Sequence, residues 1–162
     1  MRRRIVVTLA LGGLLILAAH TFSRAQTPTT RPTLVGTWVL TLTPTASPTA
    51  EPSVTGLATF TSDQSVIETD TNAAALRLTP GHGVWQLGPV VGHWYVRFNN
   101  LESSPNGTLR ATRITTITGA FNATGNQITG SFYSELIDPS GHVVTSGSGD
   151  VTGQLMQIPL LP

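Results

Sequence analysis

Apolar and polar residues alternate from residue 34 to residue 43, and this two-residue period is the feature that most constrains the fold. One face of the segment carries Leu34, Gly36, Trp38, Leu40 and Leu42, and the other carries Val35, Thr37, Val39, Thr41 and Thr43. A period of two predicts a half-buried β-strand, because successive side chains of a strand point to opposite faces. Gly36 would let another backbone approach closely, and Trp38 supplies a large apolar surface on the same face. We therefore expect Gly36 and Trp38 to be structural, with the tryptophan as a plug at one end of a small barrel.

Seven further segments are rich in β-branched and aromatic residues and predict strands. They span residues 54–61, 64–69, 82–88, 93–101, 108–121, 127–137 and 142–157, with turn-forming residues between most of them. Eight consecutive strands with short links predict an all-β fold, an eight-stranded antiparallel meander. Closing the meander into an up-and-down barrel removes both exposed edges, and an open sandwich is the alternative. The long, threonine-rich last three strands favour the barrel, because barrel strands tilt steeply around the cylinder.

The link between the first two strands is long. Residues 44–53 contain three prolines, which are incompatible with the interior of a strand or a helix. A loop of this length in a compact domain is either a functional lid or a tolerated insertion, and its composition favours the insertion.

The first 25 residues have the pattern of a secretory signal peptide. Three arginines precede an apolar run over residues 5–19, and Ser23-Arg24-Ala25 offers a cleavage site after Ala25. Cleavage after Ala19 and an uncleaved anchor are the alternatives, but the run is shorter than the about 20 residues that span a bilayer. We expect a protein that is secreted or periplasmic, with a Pro/Thr-rich linker over residues 26–33 and one barrel domain over residues 34–158.

Composition excludes several classes of function. The chain has no cysteine, so disulfides, thiolate metal sites and a lipid anchor on cysteine are excluded. After cleavage at Ala25, five basic and eight acidic side chains remain, which gives a net charge of −3 with histidine neutral. Nucleic-acid binding requires clustered positive charge, so we do not expect a nucleic-acid partner. We also expect no stable membrane insertion once the signal is removed.

The predicted fifth strand has two distinct faces. Trp94, Val96 and Phe98 lie on one side, and the other side carries His93, Tyr95, Arg97 and Asn99. If the apolar side faces the lumen, the interior is a core or an apolar pocket. If the polar side does, Tyr95 and Arg97 become candidates for ligand binding or catalysis. Burial of apolar area, which is worth about 25 cal/mol per Å², favours the first arrangement.

A histidine framed by glycines is the most distinctive short motif. It lies in the sequence Pro80-Gly81-His82-Gly83-Val84-Trp85. His82 is either a general base or ligand contact at the barrel mouth, or part of a glycine-framed turn in which it bonds a loop carbonyl. The four histidines of the chain are not at metal-ligand spacing, so we expect no metal site and no cofactor.

At Gly36-Thr37-Trp38 the chain resembles the calycin superfamily, which includes lipocalins, fatty-acid-binding proteins and avidins. Their first strand carries Gly-x-Trp near the closed end of a meander barrel, and lipocalins also have a long loop after it. With residues 79–85 and Asp138-Pro139-Ser140-Gly141, the chain further resembles a group of small secreted bacterial proteins. The resemblance implies a barrel with a lumen and does not specify a ligand.

Three functional hypotheses follow. In the first, the barrel binds a small hydrophobic or amphipathic molecule without catalysis, and the candidate lining or plug residues are Trp38, Phe60, Trp85, Trp94, Phe98 and Phe132. In the second, it is a barrel enzyme of the cyclase or isomerase type, and its catalytic candidates are Glu68, His82, Tyr95 and Arg97, which would have to converge on one cavity. In the third, it is an envelope protein whose outer face contacts a partner through a contiguous apolar patch.

A register can be predicted for the hairpin formed by the sixth and seventh strands. If residues 122–126 form a five-residue loop, Arg113 lies directly opposite Glu135. Such a pair is either a solvated surface bridge worth less than about 1 kcal/mol or the polar end of a site in the lumen. We assign Arg113 and Glu135 a structural role on this basis.

Overall fold

A computed structural model describes residues 31–45 and 52–157 of the chain. This part contains β1 (Gly36–Pro44), β2 (Val54–Phe60), β3 (Ser65–Asp70), α1 (Ala73–Leu76), β4 (Gly81–Leu87), β5 (His93–Ser103), β6 (Leu109–Phe121), β7 (Gln127–Ile137) and β8 (Val143–Leu155). The predicted signal peptide, residues 26–30 of the linker, residues 46–51 of the long loop and residue 158 at the end of the predicted domain lie outside the described residues.

The eight strands form a closed antiparallel barrel in chain order. Each strand pairs with the next, and β8 pairs back to β1 with Leu40 opposite Gly153. The predicted all-β, up-and-down barrel is therefore confirmed, and the open sandwich is wrong. Closure satisfies the backbone groups of both terminal strands without a partner chain. The architecture is consistent with a calycin-like fold.

The inward faces of the strands form an apolar core at one end of the barrel. Trp38 is completely buried, and its indole Nε1–H donates a 2.8 Å hydrogen bond to the carbonyl of Leu34. The rings of Trp38 and Phe121 lie 6.2 Å apart between centroids. The buried apolar core comprises Leu34, Trp38, Leu40, Ala58, Phe60, Val66, Trp85, Trp94, Val96, Phe98, Ile117, Ile128 and Val151. On β5, the apolar side faces inward as burial energetics predict.

Gly36 has a different close neighbour from the one predicted. Its φ of +129° lies in a region that favours glycine, and a Cβ there would approach the side chain of Leu155 to 3.0 Å. The close neighbour is thus a side chain from the end of β8 rather than another backbone. The glycine therefore lets β1 start beside β8, next to the tryptophan that plugs this end.

The predicted register of β6 and β7 is wrong by one residue. Arg113 lies opposite Leu136, and Glu135 lies opposite Ile114. The reason is the connecting loop: Phe121 pairs with Ile128, so six residues rather than five lie between the paired positions. A shift of one residue moves a strand's side chains to the opposite face. The shift therefore places the two side chains on opposite faces. Arg113 lines the lumen, while Glu135 is on the outer face, where it accepts a 3.0 Å hydrogen bond from the Tyr133 hydroxyl.

A double-mutant cycle should show that Arg113 and Glu135 are not coupled. We expect the combined effect of Arg113→Ala and Glu135→Ala on the free energy of unfolding to be additive within about 0.5 kcal/mol, because the side chains lie on opposite faces. Urea denaturation of both single variants and the double variant measures the coupling. The pair Arg110–Glu102, with Nη1 and Oε1 at 2.9 Å, is the control and should give about 1–3 kcal/mol, because the two side chains are in contact and only 6% of the Glu102 side chain is exposed. A coupling as large as the control's would contradict the observed register.

Candidate ligand-binding site

The end of the barrel opposite the Trp38 plug contains a cavity of about 420 Å³. It is lined by the C-terminal halves of β1, β3, β5 and β7 and by the N-terminal halves of their antiparallel neighbours β2, β6 and β8. Leu76 of α1 also lines it. A cavity of this size is in the usual range for small-molecule sites. The lumen thus divides into a packed apolar end and a cavity.

Apolar side chains form much of the cavity wall. Phe98 projects from β5 and Phe132 from β7, and the other apolar lining residues are Leu42, Pro44, Pro52, Val54, Leu76 and Leu136. Phe98 belongs to the buried core, while Phe132 is half-buried and packs against it. The two rings therefore join the packed core to the cavity. They provide an apolar surface that a bound molecule could cover.

Glu68 is the most unusual polar residue of the lumen. It projects inward from β3, and only 5% of its surface is exposed. Glycines on both neighbouring strands leave room for it: a Cβ on Gly56 would lie 3.0 Å from Oε1, and a Cβ on Gly81 would lie 3.0 Å from Oε2. An alanine at either position would press on the carboxyl group. The same glycines also leave room for other groups, because a Cβ on Gly56 would lie 2.8 Å from the Thr69 carbonyl and one on Gly81 would lie 2.7 Å from the Phe98 ring.

Asn100 holds the Glu68 carboxyl group from the neighbouring side of the barrel. Its Nδ2 donates to Glu68 Oε2 at 3.3 Å and to the carbonyl of Thr79 at 3.1 Å. Only 3% of Asn100 is exposed. The Thr79 carbonyl lies in the segment before β4 and accepts one N–H of the Asn100 amide. This hydrogen bond orients the amide, and the amide's second N–H in turn orients the Glu68 carboxyl group.

Burial raises the pKa of Glu68 from its ordinary 4.5 to about 7. The hydrogen bond from Asn100 and the positive charge of Arg113 oppose this shift in pKa, and the negative charge of Asp70 adds to it. Desolvation is the largest of these effects. A carboxyl group with such a pKa is protonated in much of the protein near neutral pH, so it can donate a hydrogen bond as well as accept one.

Arg113 supplies the positive charge of the cavity from β6. Its Nε is buried and has no hydrogen-bond partner, and the guanidinium forms no salt bridge within 4.0 Å to any residue in the described ranges. Next to it, the hydroxyls of Thr115 and Ser134 lie 3.1 Å apart across β6 and β7. The cavity thus combines apolar side chains with the guanidinium of Arg113, the carboxyl groups of Glu68 and Asp70, two amides and several hydroxyl groups.

The six predicted lining or plug residues all point inward. Trp38, Phe60, Trp85 and Trp94 belong to the packed core and do not line the cavity, whereas Phe98 and Phe132 do. Phe60 and Trp85 meet edge to face with centroids 6.3 Å apart. Four of the six therefore fill the barrel, and two are placed to contact a ligand.

The four catalytic candidates of the enzyme hypothesis do not converge. Glu68 is in the lumen, but His82, Tyr95 and Arg97 are exposed on the outer face of β4 and β5. The motif around His82 is part of a strand rather than a turn. This arrangement contradicts the prediction that these four residues could form one catalytic cluster.

Sequence reasoning did not identify Asn100, Asp70, Thr115 or Ser134 as site residues. For Asn100 a signal was available, because it continues the inward alternation of Trp94, Val96 and Phe98 by one step. Arg113 was considered only as the partner of Glu135, either in a surface bridge or at the polar end of a site in the lumen. The other residues line the cavity because of strand pairings that no short motif encodes.

The apolar patch required by the third hypothesis is interrupted on the outer face of β1 and β2. Val39 and Leu57 are both exposed and lie directly opposite each other. On either side, the paired positions are Thr37 with Thr59 and Thr41 with Thr55. Threonines therefore separate this pair from other apolar residues along the two strands.

Two further features concern the described ranges, residues 31–45 and 52–157. No helix in them has the length and apolarity that crossing a bilayer requires. They also contain no group of three or more histidine, aspartate or glutamate side chains that could hold a metal ion. Comparison of the chain with protein-family models, with curated proteins and with solved structures gives no significant match.

Proposed function

We propose that this protein is an exported, lipocalin-like barrel that binds a small hydrophobic or amphipathic molecule in its lumen and does not catalyse a reaction on it. The observation that carries the proposal is the cavity of about 420 Å³, whose wall combines apolar side chains such as Phe98 and Phe132 with polar and charged groups. Concave, mostly apolar sites with a small number of placed polar groups are typical of small-molecule binding. The amino-terminal signal pattern supports export, and Gly36-Thr37-Trp38 in the first strand supports the lipocalin-like assignment.

Residue Gly147 allows a direct test, because it lines the cavity from β8 and a Cβ there would meet no atom within 4 Å. We expect Gly147→Leu to fill part of the cavity and to weaken binding of prodan, an uncharged fluorescent naphthalene ketone, by about tenfold or more. Thr129→Leu is the matched control, since it adds the same side chain to an exposed outer position of β7. Fluorescence titration of the three proteins measures the affinities.

Two outcomes would overturn the proposal. One is that prodan and other apolar probes do not bind, and that native mass spectrometry of protein from its own host shows no adduct. The other is that Gly147→Leu and Thr129→Leu affect binding equally, which would place the bound probe outside the lumen.

A further inference from the structure

The polar groups of the cavity restrict what kind of molecule can occupy it. The charged and titratable groups that face Glu68 are Asp70 on its own strand and Arg113 on β6. The residues that contact it from the other neighbouring strands are neutral, namely Gly56, Gly81 and Asn100. With Glu68 protonated, the charges of Asp70 and Arg113 sum to zero.

A charged ligand would disturb this balance. An anion would add a negative charge beside the Asp70 carboxylate, and a cation would add a positive charge beside Arg113. An uncompensated charge beside the buried groups of the lumen is costly. An uncharged ligand avoids this cost, so the charges of the lumen favour a neutral molecule.

The hydrogen-bonding groups specify the polar end of that molecule. The guanidinium of Arg113 lines the cavity, contains only donors, and has an Nε–H without a partner. The carboxyl of Glu68 already accepts a hydrogen bond from Asn100 at Oε2, so in its protonated form it has a donor to offer. Both groups need an acceptor, which an aliphatic or aromatic hydrocarbon cannot supply.

We propose that the ligand is an uncharged molecule with an apolar body against Phe98 and Phe132 and a carbonyl acceptor, such as a ketone, ester or amide, held by Arg113 and Glu68. This inference rests on the proposed binding function and specifies its ligand class. Asn100 acts as a positioning residue, because it touches the Glu68 carboxyl group and the Thr79 carbonyl. Deprotonation of Glu68 removes one donor and adds a negative charge, so affinity for the carbonyl should fall as the pH rises.

A series of probes on one scaffold tests the ligand class in the unmodified protein. Naphthalene, acetylnaphthalene, naphthoate and naphthylmethylamine share an apolar body and differ in the polar group, and isothermal titration gives their affinities at about pH 5.5 and about pH 8.5. We expect acetylnaphthalene to bind about tenfold more tightly than the other three at the lower pH, which is a typical gain from one well-made hydrogen bond. Its affinity should decrease at the higher pH.

Two variants separate recognition of the carbonyl from general packing. Arg113→Met keeps a long side chain without donors and should weaken acetylnaphthalene binding about tenfold while leaving naphthalene binding unchanged. Glu68→Gln keeps a donor at every pH and should make the affinity for acetylnaphthalene independent of pH. Circular dichroism verifies that each variant is folded.

The possible failures are distinct. If all four probes bind equally, or if naphthoate or naphthylmethylamine binds best, the ligand class is wrong while the binding function stands. If the wild-type protein and Glu68→Gln lose affinity equally at high pH, the role of Glu68 is wrong. If no probe binds, including prodan, the proposed function itself fails.

Discussion

Replacement of Trp38 by alanine is expected to lower the free energy of unfolding by about 3–5 kcal/mol. The indole is fully buried, lies at the end of the barrel where β1 meets β8, and packs near the ring of Phe121. Its removal leaves a large cavity in the core and deprives the Leu34 carbonyl of its 2.8 Å hydrogen bond. Domains of this size have a total stability of about 5–15 kcal/mol, so the loss would be a large fraction of the total. Urea denaturation followed by circular dichroism measures it.

Two further variants identify the source of the loss. Trp38→Phe keeps a ring in the core but removes the N–H donor, and it should cost about 1–3 kcal/mol. Tyr95→Ala removes a partly exposed ring from the outer face of β5 and should cost less than about 1 kcal/mol. If Trp38→Ala is no more destabilising than Tyr95→Ala, the tryptophan is not the plug of the barrel.

The fold could be predicted from the sequence because one face of most strands is apolar. On β5 the alternation of exposed and buried residues continues from His93 to Glu102 without interruption, so both the strand and its inward face follow from the pattern. The shortness of most links then leaves few topologies other than a meander, and closure avoids two exposed edges. These are local properties, which a single sequence displays.

The register of β6 and β7 could not be predicted in the same way. Both strands carry threonine or serine on both faces, so their pattern does not specify which residues face the core. Register then depends on the loop, where Asn122 Oδ1 accepts hydrogen bonds from the backbone N–H groups of Asn126 and Gln127. In the observed register Phe121 pairs with Ile128, and this shift of one residue decides whether Glu135 lies on the same face as Arg113.

The site itself depends on contacts across several strands. Glu68 could be singled out as an acid within a strand, but its pairing with Asn100 requires β3, β4 and β5 to be in register. The glycine-framed motif illustrates the same limit. Its glycines predict an accessible His82, and the histidine is exposed on the outer face. Gly81, however, faces the lumen, where a Cβ would lie 2.7 Å from Phe98, 2.9 Å from Asn100 and 3.0 Å from the Glu68 carboxyl group. This glycine of the motif is thus required by the packing of the lumen and not by His82.

The stability of the wild-type protein should decrease by about 3 kcal/mol relative to the Glu68→Gln variant as the pH rises from about 4.5 to above 7. The folded-state pKa of Glu68 is about 7, against an ordinary 4.5, which serves as the unfolded reference. Below about pH 4.5 Glu68 is protonated in both the folded and the unfolded state, so its contribution to the free energy of unfolding is at its maximum. Between the two values the unfolded chain releases the proton while the folded protein retains it, so folding becomes less favourable. Above about 7 both states are ionised, and the decrease ends.

Chemical denaturation of the wild-type protein and the Glu68→Gln variant at several pH values gives this difference directly. Comparison with the variant removes the contributions of other acids, including Asp63 and Asp138, whose pKa values are lowered by hydrogen bonds and which therefore act at more acidic pH. Glu135→Gln is the matched control, because it makes the same substitution on the outer face of the barrel, away from the Glu68 carboxyl group. A constant difference between the wild type and Glu68→Gln across this range would show that the Glu68 carboxyl group is solvated. In that case its protonated form would not be available to a ligand near neutral pH, and the cavity would have to recognise its ligand through Arg113 alone.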